Sequence, residues 1–160
     1  MNEADILNAK ILVVDDAEAN LKLLEDLLAR EGFHQVISTA DPTRALDLFK
    51  AFEPDLILLD LMMPELDGYA VLEMLSRHIP KDEYLPVLVL TADATIGAKR
   101  KALALGAKDF LTKPFDTIEA MLRVWNLLET RILYRHLKSL NTGIKPITLG
   151  ASGTEPSTST

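Results

Sequence analysis

Short runs of large apolar residues alternate along the chain with longer segments in which apolar residues recur every three or four positions. The clear runs cover residues 11–14, 56–59 and 87–90, and weaker ones cover 36–37 and 109–112. Continuous apolar runs of this length are typical of strands buried on both faces, as in parallel sheets. The segments between them have the period of amphipathic helices.

Turn and cap residues mark the ends of the predicted helices. Gly32 follows one helix as a C-terminal stop, and Asp41-Pro42 supplies an N-cap and a first-turn proline for the next. Asp67-Gly68 is a turn signal after the central run. Strand and helix therefore alternate five times, which predicts βαβ units and a parallel sheet with helices on both faces.

The last predicted helix begins near Asp116 and meets no stop signal before residues 141–143. If continuous, it would be about 37 Å long at 1.5 Å per residue, longer than the sheet beneath it. Leu133, Leu137 and Leu140 have heptad-like spacing, so we expect residues 131–141 to form a helical extension that pairs with a second copy or leads to an output domain. A frayed amphipathic end is the alternative. Residues 142–160 are mostly small and polar, which predicts a disordered tail or linker stub.

Composition narrows the class of protein. The chain has 160 residues, of which 48% are hydrophobic and 26% charged, as expected for a globular domain with an appended segment. The absence of cysteine excludes disulfides, thiolate metal sites and cysteine nucleophiles. A net charge of −7 argues against direct nucleic-acid binding and suits a cation or a basic partner. No apolar run approaches the ~20 residues of a membrane span, and no signal peptide is evident, so we expect a cytoplasmic protein.

Chemically active side chains stand at the carboxyl ends of four predicted strands. They are Asp15 and Asp16 after the first strand, Asp60 after the third, Thr91 after the fourth and Lys113 after the fifth. In an open doubly wound sheet, ligands bind outside these ends, where the strand order reverses. In the flavodoxin-like order 2-1-3-4-5, the three carboxylates would converge between the first and third strands.

Three neighbouring carboxylates repel each other, and a divalent cation relieves that repulsion. Oxygen ligands, few in number and completed by water, favour Mg²⁺ over zinc or a caged calcium ion. A lysine and a hydroxyl beside such a metal can hold the oxygens of a phosphoryl group. Since no better nucleophile is present, the central Asp60 suggests an acyl-phosphate intermediate.

Four segments together carry a family resemblance. Residues 11–16, 60–68, 90–92 and 113–115, in this order and at this spacing, resemble the receiver domain of two-component response regulators. The resemblance covers about residues 9–130. It implies that Asp60 accepts a phosphoryl group from a histidine kinase or a histidine phosphotransfer protein. It also implies a protein that promotes only its own phosphoryl uptake and autodephosphorylation, and is not otherwise an enzyme.

The resemblance assigns the metal ligands as well. Asp16, Asp60 and the backbone carbonyl of Met62 would bind Mg²⁺ directly, and Asp15 would act mainly through water.

The remaining implied roles concern the phosphoryl group and the switch. Thr91 would hydrogen-bond the phosphoryl group, and Lys113 would pair first with Asp60 and then with the phosphoryl oxygens. Phe110 occupies the position of the switch aromatic, which turns inward when Thr91 moves. The family also implies a cis peptide bond between Lys113 and Pro114.

Three other interpretations of the same residues are open to comparison. A phosphatase of the haloacid dehalogenase type needs a second acid two residues after its nucleophile, but Ala17 follows Asp15 at that distance. A constitutive interaction module usually lacks one of the acids, the lysine or the acceptor, all of which are present here. A receiver fragment of a longer regulator stays open, because residues 126–131 weakly resemble the linker before a cyclic-di-GMP enzyme domain.

Overall fold

The computed structural model describes residues 2–63 and 66–143, and in it five parallel strands form one sheet. The strands are β1 (Lys10–Val14), β2 (Gln35–Thr39), β3 (Leu56–Asp60), β4 (Val87–Thr91) and β5 (Asp109–Thr112). Their order is β2-β1-β3-β4-β5, which confirms the predicted flavodoxin-like arrangement. The order reverses between β1 and β3, so a crevice is expected at their carboxyl ends.

Helices cover both faces of the sheet, as the alternating pattern predicts. They are α1 (Glu3–Leu7), α2 (Glu18–Glu31), α3 (Ala45–Phe52), α4 (Gly68–Arg77), α5 (Ile96–Ala104) and α6 (Thr117–Gly143). A single 3-10 turn, Pro42–Arg44, leads into α3. Asp41 caps that turn by accepting a hydrogen bond from the Thr43 amide, so the predicted N-cap is present but opens a tighter turn than an α-helix.

The two faces of the sheet bury two separate apolar layers. Because side chains alternate along a strand, Leu56 and Leu58 of β3 face one layer, while Ile57 and Leu59 face the other. The first layer also contains apolar residues of α2 and α6, and the second contains those of α3, α4 and α5. All five residues of β3 are buried, so Asp60 ends a strand that has no solvent-facing side.

Helix α1 was not anticipated from the sequence, because five residues are too few to show a helical period. Asn2 and Asp5 form a capping box that closes its first turn. Ile6 is buried and belongs to the same apolar layer as Ile132 of α6. The short amino-terminal helix therefore packs beside the end of the longest one.

Helix α6 is continuous over 27 residues, about 40 Å at 1.5 Å per residue, in agreement with the predicted overlong helix. Trp125 lies half-buried on α6, 6.0 Å from the Phe33 ring between centroids, and its Nε1 donates to Glu31. The predicted tail begins within α6 at residues 142–143, and residues 144–160 lie outside the described part of the chain. No helix within residues 2–63 and 66–143 combines the length and apolar character needed to cross a membrane.

Candidate functional site

Three carboxylates meet at the carboxyl ends of β1 and β3. Asp15 and Asp60 are buried, with 0% and 2% of their surface exposed, and Asp16 is half-buried. One oxygen from each lies within 4.8 Å of the others. The sheet therefore brings together the three acids that the sequence places at two separate strand ends.

Lys113 is the cation of this cluster. Its Nζ lies 3.3 Å from Asp60 Oδ1 and 3.6 Å from Asp15 Oδ2. The peptide bond that follows it, to Pro114, is cis, as the family resemblance implies. Three carboxylates and one ammonium leave a formal charge of −2 among these four residues, so their negative charge is only partly compensated.

Hydrogen bonds around the acids satisfy some oxygens, but a buried oxygen of Asp15 accepts none from the described residues. The Ala17 amide donates to Asp15 Oδ1 at 2.9 Å, and the Met62 amide donates to Asp60 Oδ1 at 3.1 Å. Asp15 Oδ2 is buried and accepts no hydrogen bond from the described residues. Lys113 Nζ lies 3.6 Å from this oxygen, which is beyond hydrogen-bond distance. A buried carboxylate oxygen without a hydrogen bond is costly unless positive charge compensates it.

The environment of Asp60 disfavours its charged form. Burial raises the pKa of the Asp60 carboxyl above its ordinary value, and the negative charge of Asp15 adds to this rise. The Met62 amide and the Lys113 ammonium act in the opposite direction. The net result is an aspartate that retains a proton more readily than an exposed one, unless further positive charge is present.

Thr91 and Phe110 occupy the strands on the other side of β3. Thr91 ends β4, is 3% exposed, and accepts a hydrogen bond from the Asp93 amide at 3.0 Å. Phe110 is half-buried on β5 and pairs with Val89 of β4. Val89 lies two residues before Thr91. The Lys99 ammonium lies over the Phe110 ring, 4.7 Å from its centroid.

The loop after β3 is held close to the sheet. A Cβ atom on Gly68 would lie 2.5 Å from the Leu61 carbonyl oxygen, so only glycine fits where α4 begins. Asp67 caps α4 by accepting a hydrogen bond from the Tyr69 amide. The side chain of Met62 points outward from this loop and is 54% exposed. Gly68 thus lets α4 begin directly against Leu61, the residue after Asp60.

A second buried acid was not singled out from the sequence. Asp55 directly precedes β3, is 6% exposed, and contacts Arg131 and Arg135 of α6. The available signal was an acid at the start of the apolar run together with two arginines one helical turn apart. Arg131 and Arg135 follow Asp55 by 76 and 80 positions, so sequence spacing alone does not predict these contacts.

Comparisons with known proteins identify the class. Residues 11–124 match the family model of the response regulator receiver domain. The chain is 39% identical over 132 residues to the response regulator PleD of Caulobacter vibrioides, covering 82% of this chain and 29% of that protein. It is 42% identical over 122 residues to the alkaline phosphatase synthesis transcriptional regulatory protein PhoP of Bacillus subtilis, covering 76% of this chain and 49% of that protein. The chain thus spans less than half the length of these two relatives.

Solved structures agree with this assignment. The receiver domain of the Francisella response regulator 1452 superposes with a TM-score of 0.69 at 32% identity, covering 77% of this chain and 98% of that one. The chemotaxis protein CheY4 of Vibrio cholerae superposes with a TM-score of 0.65 at 28% identity, covering 73% and 98%. The chain belongs to the response regulator receiver domain family of two-component systems.

Proposed function

We propose that this receiver accepts a phosphoryl group on Asp60 in a reaction that depends on Mg²⁺. The observation that carries the proposal is the cluster in which Asp60 lies beside two further acids and 3.3 Å from the Lys113 ammonium. An acid at the end of a fully buried strand with incomplete charge compensation has no evident structural purpose. It is well suited to a reaction that brings in a cation and an anionic group together.

The donor atoms present fit Mg²⁺. They are carboxylate oxygens that lie close together, and Asp15 Oδ2 accepts no hydrogen bond from the described residues, although Lys113 Nζ lies 3.6 Å away. Asp16, Asp60 and the Met62 carbonyl would hold the ion, with Asp15 acting mainly through water. The bound ion would neutralise negative charge on the phosphoryl oxygens.

The chain's own groups would then perform the transfer. An oxygen of Asp60 forms the new bond to phosphorus while the bond between phosphorus and the donor's histidine nitrogen breaks. The Lys113 ammonium turns from Asp60 to the phosphoryl oxygens, and the Thr91 hydroxyl donates a hydrogen bond to them. Movement of Thr91 would leave room beneath it for Phe110, which lies on the neighbouring strand.

The proposed partner is a histidine kinase or a histidine phosphotransfer protein. Met62 and Ala92, which follow β3 and β4 at the carboxyl edge of the sheet, are exposed, so a donor can approach from that edge. We propose no activity on other substrates and no direct contact with nucleic acid. We also propose a cytoplasmic location, where such kinases deliver phosphoryl groups.

Intact-protein mass spectrometry tests this function directly. Incubation with acetyl phosphate and Mg²⁺ should add one phosphate that is stable in acid and lost in base. Asp60→Asn should add none, whereas Asp47→Asn, at an exposed aspartate on α3, should add it normally. A phosphate that persists in Asp60→Asn would overturn the assignment of the acceptor.

We also propose that α6 pairs with α6 of a second copy. The helix carries exposed apolar side chains on the side opposite its buried face, and these are Ile118, Leu122, Leu133, Leu137 and Leu140, between 48% and 70% exposed. Leu133, Leu137 and Leu140 form one apolar patch, and exposed Asn126 and Glu129 separate it from Ile118 and Leu122. A patch of this kind on one helix fits an equal patch related by a twofold axis. A following output domain is the alternative use of the same helix.

Light scattering with and without acetyl phosphate separates these uses. The full chain should dimerise, and Leu137→Glu should make it monomeric. Leu23→Glu places the same charge at an exposed leucine of α2 and should leave the dimer intact. A chain that is monomeric in every condition would refute pairing through α6.

A further inference from the structure

A group of charged side chains lies at the opposite end of β3 from Asp60. It continues to Lys138, whose Nζ lies 3.9 Å from Glu83 Oε2 and 3.0 Å from Asp82 Oδ2. Asp55 accepts hydrogen bonds on Oδ1 from Arg131 Nε at 3.1 Å and from Arg135 Nη1 at 2.8 Å. Its Oδ2 accepts one from the Lys10 amide at 2.9 Å. Both oxygens of this buried carboxylate are therefore occupied, and two guanidinium groups exceed its charge.

Arg131 connects this acid to the next strand of the sheet. It is 7% exposed, and its Nη1 donates to Glu83 Oε1 at 3.3 Å and to the Tyr84 carbonyl at 3.1 Å. Tyr84 lies three residues before β4, and Asp55 lies one residue before β3. A single arginine of α6 thus joins the two chain segments that enter β3 and β4.

The end of α6 is held by charge, whereas its middle is held by apolar packing. The middle buries five apolar residues against the sheet, and these are Ala120, Met121, Val124, Leu127 and Leu128. Between residues 131 and 140, Ile132 is the single buried apolar side chain. Buried ion pairs stabilise a structure less than apolar packing of the same size does. The end of α6 is therefore the part of the helix whose attachment depends on the geometry of a few ion pairs.

We propose that Asp55, Glu83, Arg131 and Arg135 form a latch, here called the amino-edge latch, that ties the end of α6 to the relative position of β3 and β4. The inference rests on the proposed function, since phosphorylation of Asp60 is the event that would open the latch. The latch has two states: closed, as in this structure, and released, with residues 131–140 detached from the sheet.

The two strands make the connection physically direct. β3 ends at Asp60 and β4 ends at Thr91, and the strands are paired from Ile57↔Val87 to Asp60↔Leu90. Both are buried along their whole length, and a close-packed interior transmits a displacement rather than absorbing it. Arg131 is bonded both to Asp55, before β3, and to Tyr84, before β4. A shift of β3 against β4 would therefore lengthen one of these hydrogen bonds.

Hydrogen exchange measured by mass spectrometry tests the latch on the full chain. In the wild type, phosphorylation with acetyl phosphate and Mg²⁺ should speed exchange of residues 131–140 at least threefold and leave residues 120–128 unchanged. In Arg131→Met, exchange of residues 131–140 should be at least tenfold faster before phosphorylation and should not change further. Arg131→Lys keeps the positive charge but cannot bridge both strands, so it should give the same exchange result as Arg131→Met. Because it retains the charge next to Asp55, it supplies a second test if Arg131→Met does not fold.

Arg123→Met is the matched control, because Arg123 lies on the same helix and pairs with Asp109 and Glu119 outside the latch. It should retain the response of residues 131–140 to phosphorylation. A phosphorylated wild type with unchanged exchange in these residues would overturn the latch while leaving the proposed function intact. The latch would also be overturned if phosphorylation sped the exchange of residues 131–140 equally in Arg131→Met and in the wild type. Absence of phosphorylation on Asp60 would overturn both.

Thermodynamic linkage supplies a second measurement. If phosphorylation favours release, then release must favour the phosphorylated form by the same factor. Arg131→Met should therefore bind beryllium trifluoride, a mimic of the acyl phosphate, at least threefold more tightly than the wild type in the presence of Mg²⁺. Equal affinities would contradict the coupling.

Discussion

Strand β3 has an aspartate at each end, and the two acids have opposite surroundings. At the carboxyl end, Asp60 shares one lysine with Asp15 and also lies close to Asp16. At the amino end, Asp55 stands alone between two arginines and a backbone amide. Both are buried, so burial alone does not distinguish a reactive acid from a structural one. The distinguishing property is the balance of charge, because negative charge is in excess around Asp60 and positive charge is in excess around Asp55.

The largest expected effect separates the two acids by function. Asp60→Asn should abolish phosphorylation by acetyl phosphate, because no other carboxylate ends β3 beside Lys113. Asp55→Asn should still be phosphorylated while the protein is folded, since Asp55 lies at the far edge of the sheet. The mass of the intact protein after incubation measures both. If a folded Asp55→Asn were not phosphorylated, the distinction between a reactive Asp60 and a structural Asp55 would be wrong.

The next effect concerns stability. Arg131→Met should lower the free energy of unfolding by about 3–5 kcal/mol, because it removes the buried partner of Asp55 and leaves Arg135, whose side chain is 58% exposed, as the remaining arginine. Urea denaturation followed by circular dichroism measures the loss. The matched change Arg77→Met removes an exposed pair with Glu73 and should cost no more than about 0.5 kcal/mol. Equal losses in the two variants would mean that the Asp55 pair is no stronger than a surface pair.

Magnesium should stabilise one end of β3 and have no direct effect on the other. At a concentration of 100 times its dissociation constant, Mg²⁺ should raise the free energy of unfolding by about 2.7 kcal/mol. Asp16→Asn should weaken this gain, and Asp55→Asn should preserve it. Urea denaturation at several Mg²⁺ concentrations provides the measurement, and Ca²⁺ at the same ionic strength tests selectivity.

The pH dependence of the metal-free protein should also come from Asp60. Because its pKa is raised by burial, its protonated form stabilises the fold fully below the ordinary aspartate value of 3.8. That contribution is lost as the pH rises through the raised pKa. Asp60→Asn should therefore be stabilised relative to the wild type more at pH 7 than at pH 4. Urea midpoints at the two pH values in the presence of a chelator measure this, and an equal difference at both would contradict it.

The smallest expected effect sharpens the description of the latch itself. Arg135 also contacts Asp55, but its side chain is 58% exposed, against 8% for Arg131. Arg135→Met should therefore cost only about 1 kcal/mol in the free energy of unfolding. A loss as large as that of Arg131→Met would indicate that the two arginines act as one unit.

The contrast also explains what could be predicted from the sequence. The carboxyl end of β3 was predictable, because strand ends in a doubly wound sheet converge on one crevice wherever each strand begins. The amino end was not, since the contact between Asp55 and Arg131 depends on the angle at which α6 crosses the sheet. Helix α1 escaped prediction for a different reason. It is a single capped turn, and its position depends on Ile6 packing in the layer that holds Ile132.

Trp125 gives the long helix an optical property of its own. It is the chain's only tryptophan, and it sits on α6 against Phe33 with its indole nitrogen bonded to Glu31. Any change in how α6 lies on α2 will alter the polarity around this one ring. The unlabelled protein therefore carries an intrinsic fluorophore, and stopped-flow emission can follow α6 in real time after a phosphodonor is added.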